Sequence, residues 1–157
     1  MTLITAKRLQ GLSVIFGLIV SGYLSYLKIA DAPSVCVKGG AFNCDLVLNS
    51  KYSELGGIPI AWLGFAIYLI LALLLLIEDR REIFRQYGQL AAFGLALFAW
   101  LFSMWLVYVQ FVLLAALCPW CLSHEINFTI LFGLICLRLY REFSLEEASA
   151  PNEKRKI

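Results

Sequence analysis

Charge is scarce in this chain. Of 157 residues only 15% are Asp, Glu, Lys or Arg, and 61% are hydrophobic. A soluble domain carries about 45–50% apolar residues, so this balance argues against one and for a membrane protein. Internal repeats, low-complexity segments and lipidation motifs are all missing. A second Cys-x-x-Cys is missing too, and the seven residues between Cys36 and Cys44 are unlike the usual spacing of zinc ligands. Both points weigh against a zinc site. No metal is expected.

What is present is apolar sequence in four blocks. A spanning helix needs about 20 mostly apolar residues, and residues 9–29, 58–77, 88–117 and 122–140 qualify. The fold class expected is an all-α integral membrane protein, a four-helix bundle capped on its exoplasmic side by a loop with a half-helix. The third block is long enough to tilt or to end in a turn before Pro119. The third and fourth are joined by little more than Cys118-Pro119-Trp120-Cys121, so they form an antiparallel hairpin. The bundle domain is set at 1–143. Residues 144–157 are charged (Glu146, Glu147, Glu153, Lys154, Arg155, Lys156) and are expected to be a disordered cytoplasmic tail. The first block is too long for the core of a signal peptide and is expected to stay as a helix.

Net charge is only +2, but its placement is uneven. Lys7 and Arg8 precede the first span, Arg80, Arg81 and Arg85 lie between the second and third, and Arg138, Arg141 and 154–156 close the fourth. At the other end Lys28, Lys38 and Lys51 are offset by Asp31, Asp45 and Glu54. The positive-inside rule puts both termini in the cytoplasm. Both cysteine pairs then face the opposite compartment, which in bacteria is oxidising and lets disulfides persist.

Small residues recur at four-residue intervals in the first span (Ser13, Gly17, Ser21, Ser25), and a similar run lies in the third (Ala91, Leu95, Ala99, Ser103). Both are expected to be packing seams. In the loop at 30–57, Gly39-Gly40 favours a turn between its two cysteines. Residues 45–55 alternate at near-helical spacing, as a short amphipathic helix would, and Pro59 suits the first turn of the second span.

The chemistry lies in the cysteines. If the fourth helix starts near Pro119, Cys118 and Cys121 sit at its N-terminus. Residues three apart are neighbours there, and the helix end favours a thiolate. Cys36 and Cys44 could form a plain loop staple. Beside a second pair on the same face, they could instead exchange with an outside dithiol and then with Cys118 and Cys121. His124 and Glu125 follow Cys121 on its helical face and are ionisable groups inside a span, a hint of function. Either could supply a proton to a reduced acceptor or tune Cys121. Asn127 and Gln110 are expected to hydrogen-bond between helices. Cys136 lies about 22 Å deeper along the fourth helix and is expected to be an inert core residue.

This combination resembles the vitamin K epoxide reductase family in its bacterial branch. The resemblance rests on Cys36 and Cys44, on Asn43-Cys44-Asp45, on Ser50, on the stretch Gly57-Ile58-Pro59-Ile60-Ala61-Trp62-Leu63-Gly64, and on Cys118-Pro119-Trp120-Cys121. It covers nearly the whole chain. It implies a four-helix bundle around a quinone (ubiquinone or menaquinone). Cys36 would exchange with a DsbA-like, thioredoxin-fold partner. Cys44 would pass electrons to Cys118, Cys121 would react with the quinone, and Ser50 would hydrogen-bond a quinone oxygen. The expected activity is a thiol:quinone oxidoreductase of the bacterial inner membrane that supports disulfide-bond formation. Some members carry a fused thioredoxin-like domain after a fifth helix. The sequence ends without either, so a separate partner is expected. Vertebrate members carry Tyr where Glu125 stands, which weighs against epoxide reduction. The alternatives are an epoxide or quinone reductase proper, and a non-catalytic membrane subunit with structural disulfides. A DsbB-type oxidase would place its Cys-x-x-Cys in the first loop, the reverse of the order here.

Overall fold

The computed structural model of the chain describes residues 3–30, 36, 42–78 and 82–153. Four helices are long and apolar enough to cross a membrane. They are α1 (Leu3–Ala30), α3 (Ile60–Glu78), α4 (Glu82–Tyr108) and α5 (Pro119–Glu153). A five-residue helix, α2 (Cys44–Leu48), and a small hairpin, β1 (Glu54–Leu55) with β2 (Ile58–Pro59), lie between α1 and α3. Both α1 and α4 pack on α3 and on α5, which closes a ring in the order α1, α3, α4, α5. Their outer faces carry exposed Leu12, Ile19, Leu73, Leu76, Phe98 and Ile130. In water such a surface would be a continuous apolar patch; in a bilayer it meets lipid. The protein is an all-α membrane bundle.

The core is made where small residues let helices approach. Tyr68 is 0% exposed and packs with Val14, Leu71, Ala96, Ala99, Phe128, Leu131 and Ile135. Gly17 on α1 makes this possible, because a Cβ there would collide with the Tyr68 ring. The α1 seam therefore falls as its small residues predict, with Ser13 and Ser21 buried. The α4 seam is shifted in part from the expected one. Leu95, Ala99 and Ser103 pack inward as expected, but Ala91 is exposed, and Ala92 and Ala96 continue the seam in its place.

Polar groups inside the bundle are tied across helices. Asn127 of α5 donates through Nδ2 to the Ser13 carbonyl and to the Tyr68 hydroxyl, both at 3.0 Å, and its Oδ1 accepts from Ser13 Oγ at 2.8 Å. At the end holding the termini, Arg138 donates to Gln10 Oε1 at 2.6 Å and Gln89 donates to Glu142 at 2.7 Å. These bonds link α1, α4 and α5 where the hydrophobic effect is weak.

Several boundaries differ from the sequence expectation. The third span ends at Leu113, not residue 117, and ends in a π-helical turn, Val109–Leu113. There Leu114 N–H donates to the Val109 carbonyl and Ala116 N–H to the Gln110 carbonyl. Ala115 follows with φ 46°, a left-handed conformation uncommon outside glycine. The half-helix is shorter than expected, 44–48 instead of 45–55. Asn43 caps its start, accepting from Leu46 N–H at 3.0 Å. Tyr52 lies in the turn that follows and Leu55 in the hairpin. Gly56 (φ 61°) and Gly57 (φ 85°) form its two-residue turn, which needs positive φ at both positions. Pro59 ends β2, one residue before α3, instead of sitting inside the first turn. Beyond Phe143, α5 runs on to Glu153, so the first part of the charged tail continues the helix; its Glu and Ala residues are good helix formers. Cys136 is half-buried on α5 and not part of the core. The Gly39-Gly40 turn, Lys38, Asp31, Arg80, Arg81 and 154–156 lie outside the described residues.

Candidate active site

The four expected cysteines come together at one end of the bundle. Cys36 and Cys44 are joined as a disulfide, and Cys118 and Cys121 are free thiols. Cys44 is 1% exposed and Cys118 0%, and they share a buried cluster with Val47 and Ala116. Cys36 and Cys121 both pack against that cluster. The juxtaposition is built by backbone: Asn43 N–H donates to the Leu117 carbonyl at 3.1 Å, and Phe42 bridges Leu117 in parallel. The residue before each inner cysteine is thus held against the other segment.

Cys118 sits immediately before α5. The Cys121 backbone N–H donates to Cys118 Sγ at 3.3 Å. The Cys121 thiol is the largest influence on Cys118 and, with backbone N–H groups of the same turn, holds its thiol below the ordinary range, against burial, which raises it. The Cys118 sulfur is therefore the better thiolate and leaving group. Its own N–H donates to Gln110 Oε1 at 3.2 Å inside the protein. Sequence reasoning gave Gln110 to a helix–helix bond. The π turn instead aims it at the backbone of Cys118. A glutamine amid an apolar span was the available signal, but its target depended on a turn with no mark in the sequence.

Below the cysteines lies a cavity of about 440 Å³, within the range of small-molecule sites. Its walls are mostly apolar: Leu24, Ile67, Leu63, Phe102, Leu106 and Phe128 contribute. Cys121, Ser50, His124 and Glu125 all line it, and Cys36, Cys44 and Cys118 do not. Ser50 Oγ donates to the Val47 carbonyl at 2.9 Å, which fixes its hydroxyl on the end of α2. His124 is held by edge contact with Tyr68 (5.3 Å between ring centres) and by Phe128 stacked at 6.4 Å. Its Nδ1 lies 3.4 Å from Glu125 Oε1.

Two wall residues escaped sequence reasoning. Tyr68 is a buried phenol on the cavity wall, hidden in an apolar run. Lys28 stands at the rim and clasps the cap. Its Nζ donates to the Leu48 carbonyl at 3.2 Å and pairs with Glu54 at 3.1 Å. A lysine ending a span looks like a charge anchor until the fold brings α2 and β1 to it.

The sequence profile of the vitamin K epoxide reductase family matches residues 9–136, from the first span well into the fourth. The chain belongs to this family. A thiol-disulfide oxidoreductase of Arabidopsis thaliana, LTO1, is 30% identical over 118 residues. The match takes in 71% of this chain and 31% of LTO1. This family member thus spans about a third of that relative's length.

Proposed function

We propose that this protein is a membrane thiol–quinone oxidoreductase that takes electrons from a DsbA-like, thioredoxin-fold partner. The observation that carries the reading is the line of sulfurs ending at a cavity. Cys44 and Cys118 are buried in one cluster, and Cys121 lines the apolar space beneath. The family match and the thiol-disulfide chemistry in the name of LTO1 support it.

The partner's thiolate attacks Cys36, the half-buried member of the loop pair, and frees Cys44. Cys44 attacks the Cys118–Cys121 disulfide at Cys118. The partner's second thiol attacks the partner–Cys36 bond, so the partner leaves oxidised and Cys36 is free. Cys36 then resolves the Cys44–Cys118 bond, and the lowered Cys118 thiol is the good leaving group that this step needs. The reduced pair, the state seen here, faces the acceptor through Cys121. A bound quinone takes up two electrons and two protons. The cavity suits a flat ring: its walls are mostly apolar, its volume is adequate, and Ser50, His124 and Glu125 line it together with Cys121. Ser50 would have to turn from Val47 to donate to a ring oxygen, while His124 and Glu125 already face the space. Ubiquinone and menaquinone both meet this description.

We place the protein in a bacterial plasma membrane with its termini inside. Lys7, Arg8, Arg138 and Arg141 gather at the end opposite the cysteines, and positive charge stays cytoplasmic. The thiols then face an oxidising space.

The test is quinol formation by purified, detergent-solubilised protein given reduced DsbA-like donor and a soluble quinone. Wild type should turn over and Cys121→Ala should not. Turnover that survives in Cys121→Ala would contradict the assignment, as would no turnover in wild type.

A further inference from the structure

Glu125 is a buried carboxyl with too few partners. The residue is 7% exposed. Its Oε1 faces His124 at 3.4 Å, and its Oε2 is buried with no hydrogen-bond partner among the described residues. An unsatisfied acid inside a membrane span is costly and is a mark of function. It lines the cavity one helical turn from Cys121, on the same face. The other titratable groups on that wall are Lys28 from α1, Tyr52 from the cap, Tyr68 from α3, and Cys121 and His124 from α5. Lys28 is engaged by Glu54 and Leu48 at the rim. The Tyr68 hydroxyl accepts from Asn127. That leaves Glu125, with His124 beside it, as the acid–base group facing both the terminal sulfur and the open space.

We infer that Glu125 is the proton carrier of the terminal step, taking the proton of the Cys121 thiol and delivering it to the oxygen of the acceptor ring, with His124 holding the carboxyl in place. The inference rests on the acceptor reading above. Over one turnover two S–H bonds break and the Cys118–Cys121 bond forms. Two electrons and two protons pass to the quinone, and Glu125 gives and regains one proton. No further oxidant is needed.

The sharp test separates proton transfer from packing. Glu125→Gln keeps size and shape but cannot shuttle a proton. Two rates are read on reduced protein: quinol formation with a soluble quinone, and alkylation of Cys121 by iodoacetamide without quinone, followed by peptide mass spectrometry. Quinol formation should fall on the order of 10²-fold, the usual worth of a positioned acid–base group. Alkylation should not fall, because without quinone the Cys121 proton exchanges with solvent and needs no carrier to a ring oxygen. A fall in both rates would make Glu125 a structural residue and overturn the inference. Quinol formation unchanged in the variant would overturn it as well, while leaving the acceptor reading intact. Absence of quinol formation in wild type would remove both.

Discussion

Cys118 illustrates how much a single residue's chemistry depends on what surrounds it. Its sulfur is favoured as a thiolate by Cys121, and its backbone N–H is taken by Gln110. Gln110→Leu keeps the volume and removes the acceptor. It should cost about 1–3 kcal/mol, the penalty for a buried donor left unpaired, read as lower thermal stability in detergent. It should also slow exchange between the two cysteine pairs. A variant as stable and as fast as wild type would show that the contact positions nothing. At this scale the sequence was most informative where chemistry restricts residue type. Only cysteines can exchange disulfides, so residue type and placement singled out all four as candidates, while spacing left Cys36 and Cys44 open as a plain staple. His124 and Glu125 stood out as ionisable groups in an apolar run. Gln110, Tyr68 and Lys28 did not stand out as site residues. Tyr68 and Lys28 acquire their roles from neighbours far along the chain, and Gln110 from the π turn that aims it at Cys118. Cys136 shows the converse, since depth along a helix was legible but its half-buried face depended on which neighbours packed there.

Among the elements, the cap is the part that sets the cysteines. Helix α2 brings Cys44 inward, Lys28 holds its last turn, and the hairpin returns the chain to α3. The Ile60 N–H donates to the Ser53 carbonyl at 2.9 Å and closes that return. The two-glycine turn is its weak point. Replacing Gly56 and Gly57 by Ala should cost roughly 1–2 kcal/mol each, the penalty for a left-handed residue carrying a Cβ. The measurement is the rate at which a small dithiol reduces the Cys36–Cys44 bond, which should rise as the cap loosens. An unchanged rate would show that the hairpin and the loop pair are mechanically independent. Four spans were legible because length and apolarity define them. The length of the third allowed a turn before Pro119 but did not locate it, since a π turn adds a residue without interrupting the hydrophobic run. The half-helix was overlong in prospect because alternation in 45–55 fits a helix and a turn-plus-hairpin alike; the positive φ of Gly56 and Gly57 decides it.

Across the whole molecule, two loops separated by two spanning helices meet at one end of the bundle, and a cavity opens beneath them. No local pattern predicts a cavity, because it arises from the ring of four helices held apart at one end and closed at the other by the polar ties of Gln10, Gln89, Arg138 and Glu142. What the resemblance to a family implied, and spacing alone did not, was which sulfur meets which. The relay requires direct exchange between the inner cysteines, Cys44 and Cys118, which share one buried cluster. The most direct measurement is non-reducing mass spectrometry of the Cys36→Ala, Cys121→Ala protein after mild oxidation. A Cys44–Cys118 disulfide within one chain, formed quantitatively, is the predicted result. Free thiols at both positions, or disulfides only between molecules, would contradict the relay.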